Sequence, residues 1–171
     1  MNRRSILSIS AAIALGLAVL TGNSFAQQKT LKEQLVGIWT VASIENTAPN
    51  GTKRQLFGAN PKGQYIFDAG GRFSLMLVNP DVPKFKVSNR LEGTPEENKA
   101  VVQGTVAYFG TWSVDEANKA IVLKMEGHLF PNARDATQKR NVQKISADEW
   151  QSFNAESGAG GTTVSVWKRM K

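Results

Sequence analysis

Residues 105–126 read TVAYFGTWSVDEANKAIVLKME, and this stretch decides the fold. Its second half alternates without a break. Ile121, Leu123 and Met125 share one face, while Val122, Lys124 and Glu126 share the other. A period of two is the repeat of a strand, because successive side chains leave opposite sides of the backbone. Thr105–Val114 is a second strand, rich in β-branched and aromatic residues. Only the short polar turn Asp115–Lys119 separates the two, so they pair antiparallel.

The same texture extends in both directions. Further strands are expected at Ile38–Glu45, Arg54–Phe57, Gly63–Asp68, Arg72–Val78, Thr137–Ile145, Glu149–Asn154 and Thr162–Met170. Asn50-Gly51 offers positive φ for a hairpin, Ala69-Gly70-Gly71 links two strands closely, and Gly158–Gly161 is a flexible link before the last strand. Along Arg72–Val78, Phe73, Leu75 and Leu77 oppose Arg72, Ser74 and Met76. Thr137–Ile145 differs, being largely polar on both faces. Such a strand borders a wet or ligand-filled cavity, or else it is a solvated edge. A helix breaks the series: Thr94 is its cap, Pro95 its first residue, Glu97 completes a capping box, and Gly104 ends it. A short helix over Leu31–Leu35 also fits.

The N-terminus reads as a secretory signal peptide over residues 1–26. Arg3 and Arg4 form its basic start, Ile6–Leu20 its apolar run, and Ser24-Phe25-Ala26 its cleavage site after Ala26. The apolar run is too short for a stable membrane span, and the general secretory route fits better than the twin-arginine one. The expectation is a periplasmic or secreted bacterial protein with one domain over residues 27–171. Removing Arg3 and Arg4 lowers the formal net charge from +7 to +5. With no Cys, the domain has no disulfides, thiol nucleophile or cysteine-held metal. The full chain is 41% hydrophobic and 20% charged, and enough apolar material lies beyond residue 26 for a core. The expected fold is all-β: a closed antiparallel up-and-down barrel of about eight to ten strands with one short helix. Closure leaves no exposed edges, and a sandwich is the alternative.

A series of motifs spans nearly all of Leu35–Arg169. It runs Leu35-Val36-Gly37-Ile38-Trp39, Gly63-Gln64-Tyr65-Ile66-Phe67-Asp68, Gly71-Arg72-Phe73-Ser74, Gly93-Thr94-Pro95-Glu96-Glu97, Ala107-Tyr108-Phe109-Gly110-Thr111-Trp112, Glu126-Gly127-His128-Leu129-Phe130-Pro131-Asn132, Gln138-Lys139-Arg140 and Trp167-Lys168-Arg169. Taken together they resemble the bacterial lipocalin-like domain family. The resemblance implies a barrel with a central cavity. It also implies structural roles for Gly37, Trp39 and Arg169, the Trp plugging the closed end and packing on the Arg. Two departures stand out. His128 replaces a small polar residue, and Ala133-Arg134-Asp135-Ala136 stands where an aromatic and a Gly are expected. A loop so altered at the cavity mouth would change ligand preference.

The polar candidates for such a cavity are Tyr65, Arg72, Arg90, Tyr108 and Arg140. Arg presents a fork for a carboxylate or sulfonate, and Tyr a phenol on an apolar ring. The expected partner is therefore a small hydrophobic or amphipathic molecule, with an acid group as the best match. Trp112 and Trp150 line the cavity or fill the core. His128, the only histidine, could serve as a general base with Glu126 two residues earlier on the same strand face, unless Gly127 bulges the strand. An isomerase or cyclase on the same barrel is the enzymatic alternative, and an envelope interaction or inhibitor module is the third reading. No cofactor motif, nucleophile motif or metal-ligand set is present, and the dispersed basic residues give no nucleic-acid signature.

Overall fold

The computed structural model describes residues 29–171, so the segment read as a secretory leader lies outside the described residues. The strands are β1 (Gly37–Thr47), β2 (Lys53–Arg54), β3 (Lys62–Phe67), β4 (Arg72–Val78), β5 (Thr105–Asp115), β6 (Ala120–His128), β7 (Thr137–Ile145), β8 (Glu149–Asn154) and β9 (Thr162–Arg169). Every pairing is antiparallel. Beyond the short β2, neighbours follow chain order, and β1 pairs with β9 from Trp39↔Arg169 to Thr47↔Thr162. Eight strands thus close into an up-and-down barrel, which excludes the sandwich. The strand expected at Arg54–Phe57 is corrected. Only Lys53 and Arg54 pair, because the chain turns at once, with the Gly58 N–H donating to the Gln55 carbonyl.

Alternation sets the wall, and bulges reset it. On β1 the inward residues Val41 and Ile44 are three apart, because the register shifts between Val41 and Ser43. Similar shifts occur between β5 and β6 and between β7 and β8. Each adds one residue to one strand and so turns the rest of it over.

One end of the barrel is plugged. Helix α1 (Leu31–Leu35) starts at the Thr30–Glu33 capping box and buries Leu31 and Leu35. The Glu116 carboxylate accepts the Leu31 and Lys32 N–H groups, each at 3.1 Å, fastening α1 to the β5–β6 turn. Trp39, fully buried, donates its indole N–H to the Leu35 carbonyl at 2.7 Å. Arg169 lies 4.0 Å from the ring centroid of Trp39 and donates to the carbonyls of Val36, Gln34 and Ala147. Gly37 has φ +136°, and a Cβ there would stand 2.6 Å from the Arg169 guanidinium. The backbone thus favours glycine, and a Cβ would also have to displace the hydrogen-bonded guanidinium. Above this layer sit Phe67, Ile121, Leu123, Trp150 and Trp167, all essentially buried. Side chains of this kind contribute roughly 1.5–3 kcal/mol each.

The other end is open. Helix α2 (Pro95–Gly104), capped by Thr94 and Glu97 as the sequence implies, leads into β5 there. Asn46, fully buried, donates to the carbonyls of Gly160 and Thr162 and accepts from Arg54. Arg54 also reaches the Ala159 carbonyl, so this glycine-rich link is tied down rather than free.

Candidate ligand cavity

Between the plugged end and the open end lies a cavity of about 650 Å³. Its two walls differ, and the difference follows from the sequence of each strand. Strands β3 to β5 turn Tyr65, Leu75, Leu77, Val106 and Tyr108 inward, with Ile44 of β1 beside them. Strands β7 to β9 turn inward Gln138, Arg140, Ser152, Asn154, Thr163 and Ser165, above Trp167. Leu56, Phe57, Val102 and Phe130 line the mouth side, and Val102 is 76% exposed. An apolar wall facing a polar one suits an amphipathic molecule.

Strand β7 is flanked by β6 and β8, so it is no edge strand. Its inward face carries Gln138 and Arg140. The Arg140 guanidinium donates to the Gln138 side-chain oxygen at 2.5 Å and to the Lys139 carbonyl at 3.1 Å. Among the described residues no carboxylate pairs with Arg140, and no Asp or Glu lines the cavity. A cation facing a partly apolar space without a counter-ion favours an anionic guest.

Tyr65 stands deep in the wall. Its ring stacks on Phe67 at 4.3 Å and meets Trp167 edge-on at 5.2 Å. Among the described residues its hydroxyl is buried with no partner that meets hydrogen-bond geometry. Burial pushes this phenol well above the ordinary tyrosine range, the Tyr108 hydroxyl adding to the effect and Arg140 opposing it. His128 stacks on Tyr108 at 4.9 Å, and its Nδ1 accepts the Phe130 N–H at 2.9 Å. Burial, and then the Arg140 charge, lower its pKa from the usual value, so the ring is neutral near pH 7.

The cavity assignments of Arg72 and Arg90 are corrected. Arg72 lies on the outer face of β4, opposite in phase to the buried Phe73, and pairs in two parallel bonds with Glu126 at 2.6 and 2.8 Å. Arg90 is exposed on the long loop between β4 and α2 and does not line the cavity. The pairing of Glu126 with His128 on one face is likewise corrected. Phe109 pairs with Gly127 and Gly110 with Met125, leaving Glu126 as the extra residue of a bulge. The phase shift sends Glu126 outward and His128 to the cavity. Trp150 fills the core, stacked on Trp167 at 6.0 Å, and Trp112 bonds the Asp68 carbonyl at 2.9 Å outside the cavity lining.

A family model described as a lipocalin-like domain matches residues 36–170. The chain belongs to the lipocalin-like domain family. Among solved structures, this lipocalin-like domain is similar to a lipocalin-like protein from Bacteroides uniformis, at 15% identity and TM-score 0.42, covering 80% of this chain and 99% of that one. It is also similar to a redesigned β-barrel, at 10% identity and TM-score 0.44, covering 84% of this chain and 98% of that one. No curated protein matches the sequence.

Several lining residues of this lipocalin-like domain escape the sequence reading, namely Gln138, Ser152, Ser165 and Trp167. The signal was present. Trp150, Ser152 and Asn154 share one phase of β8, and Thr163, Ser165 and Trp167 share one phase of β9, polar toward one end. Ser152 and Ser165 bond each other at 2.7 Å, and the Trp167 indole donates to Ser165 at 2.8 Å. Among the described residues no three His, Asp or Glu side chains converge as a metal site would need.

Proposed function

We propose that this lipocalin-like domain is an exported carrier that holds a small amphipathic molecule in its barrel. The carrying observation is Arg140, a guanidinium turned into a cavity of about 650 Å³ with no carboxylate partner among the described residues. That volume falls within the range of about 300–1,000 Å³ usual for small-molecule sites. In this reading the ligand's apolar body lies on Leu75, Leu77, Val106 and Trp167, and its acid group meets Arg140. Arg3, Arg4, the apolar run Ile6–Leu20 and Ser24-Phe25-Ala26 support export with cleavage after Ala26, and in this reading the carrier works in the periplasm or outside the cell.

Native mass spectrometry of freshly purified protein tests this reading. A co-purified small molecule is expected, together with a thermal shift on adding members of a fatty-acid and aromatic-acid panel. A clean unliganded mass with no shift across the panel would reject a carrier role.

A further inference from the structure

Four polar groups of the cavity, Arg140, Gln138, His128 and Tyr65, each have a donor to offer. Arg140 has only N–H groups to offer. Because it donates to the Gln138 side-chain oxygen, that amide is fixed with its oxygen toward the guanidinium. The Gln138 NH₂ is thereby left as a donor for a ligand. His128 is constrained in the same sense. Its Nδ1 already accepts the Phe130 N–H, so the neutral ring carries its proton on Nε2, which has no bonded partner among the described residues. The Tyr65 hydroxyl, in a side chain only 2% exposed, meets no partner with full hydrogen-bond geometry among the described residues, though the Tyr108 hydroxyl lies close enough to act on it. All four residues line the same cavity, and Tyr108 joins two of them, stacked on His128 at 4.9 Å and edge-on to Tyr65 at 6.5 Å. The nearby carboxylate that could have supplied an acceptor, Glu126, is turned outward and held by Arg72.

We propose that Arg140, Gln138, His128 and Tyr65 form a donor-presenting site that reads the ligand's head group, selecting a carboxylate over an alcohol or amine on the same skeleton. This rests on the carrier reading above and specifies the chemistry of its polar end. A carboxylate brings two oxygens, about four lone-pair directions and no hydrogen of its own. It can accept from several of these donors without adding a competing one. An alcohol brings a donor of its own and no negative charge to answer the guanidinium. An amine near neutral pH brings a second cation toward Arg140. His128 acts here as a neutral specificity residue, not as a base, and the Phe130 N–H fixes which of its nitrogens faces the guest.

Isothermal titration of the purified protein at pH 7.5 tests the proposal with two skeletons: decanoic acid, 1-decanol and decylamine, then 2-naphthoic acid, 2-naphthalenemethanol and 2-naphthylmethylamine. In at least one series the acid should bind about tenfold or more tighter than the alcohol, the weight of one charge-assisted hydrogen bond, with the amine weakest. Arg140→Met should bring the acid down to the alcohol's affinity while leaving the alcohol nearly unchanged. His128→Gln, which keeps an N–H donor, should retain more of the preference than His128→Leu. If either variant fails to fold, the wild-type series decides alone. Equal affinity for acid and alcohol would overturn the donor-presenting site and leave the carrier reading standing. Binding of no member of either series would overturn both.

Discussion

Glu126 and His128, two residues apart on β6, project from opposite sides of the barrel wall. The bulge between them rests on Gly110, where a Cβ would stand 2.0 Å from the Lys124 carbonyl and 3.0 Å from the Glu126 nitrogen. Both obstacles are backbone, so neither can swing aside. Gly110→Ala should therefore lower stability by about 1–3 kcal/mol, the usual range for overpacking. Urea denaturation measures it. An unchanged midpoint would mean that the bulge adjusts freely.

The plugged end makes a second, independent claim. Arg169 offers its charge to the Trp39 ring and its N–H groups to three carbonyls. Arg169→Met removes all of these and should cost about 2–4 kcal/mol, from one cation–π contact and several hydrogen bonds to a charged group. At this chain length each kcal/mol shifts Tm by about 2–4 °C. Arg169→Lys should recover only part of the loss, since an ammonium lacks the fork. Full recovery in Lys would show that charge alone matters.

His128 gives a stability slope in a defined pH window. Burial and Arg140 depress its folded pKa below the unfolded value of about 6.5. Between those two values the unfolded chain binds more protons, so stability falls as pH drops below about 6.5. His128 is the only histidine, and the lowered carboxylates Glu33, Glu97, Asp115 and Glu126 act at lower pH. Denaturation from pH 7.5 to 5 should show a loss that His128→Gln removes. A slope that persists in His128→Gln would assign it elsewhere.

Tyr65 makes a claim at the alkaline end. Its raised pKa keeps a protonated tyrosine in the folded barrel where a free one would ionise, near pH 10 and above. The chain has two tyrosines. Absorbance near 295 nm should therefore fall short of two tyrosinates until the protein unfolds, and Tyr65→Phe should remove the late step. Full ionisation of both in the folded state would place the Tyr65 hydroxyl in water.

The barrel was legible because alternation and turns are local. Ile121, Leu123 and Met125 announce their face from spacing alone, and Thr94 with Glu97 announces the helix start. The Trp39–Arg169 contact was legible only through the family resemblance, since the two residues meet through closure of β1 on β9. The cavity was read less well. Arg72 and Arg140 have the same chemistry, and only the wall's phase separates them. On β6 that phase depends on one inserted residue, which spacing alone does not reveal.

The central claim is that an amphipathic acid sits inside the barrel with its acid group at Arg140. Amide chemical-shift mapping by NMR, titrating decanoate or 2-naphthoate, tests it most directly. The account expects saturable shifts on inward positions such as Leu75, Leu77, Gln138, Arg140 and Ser165, with Arg72 and Phe109 on the outer face unmoved. Shifts confined to the outer face, or none with either acid, would contradict it.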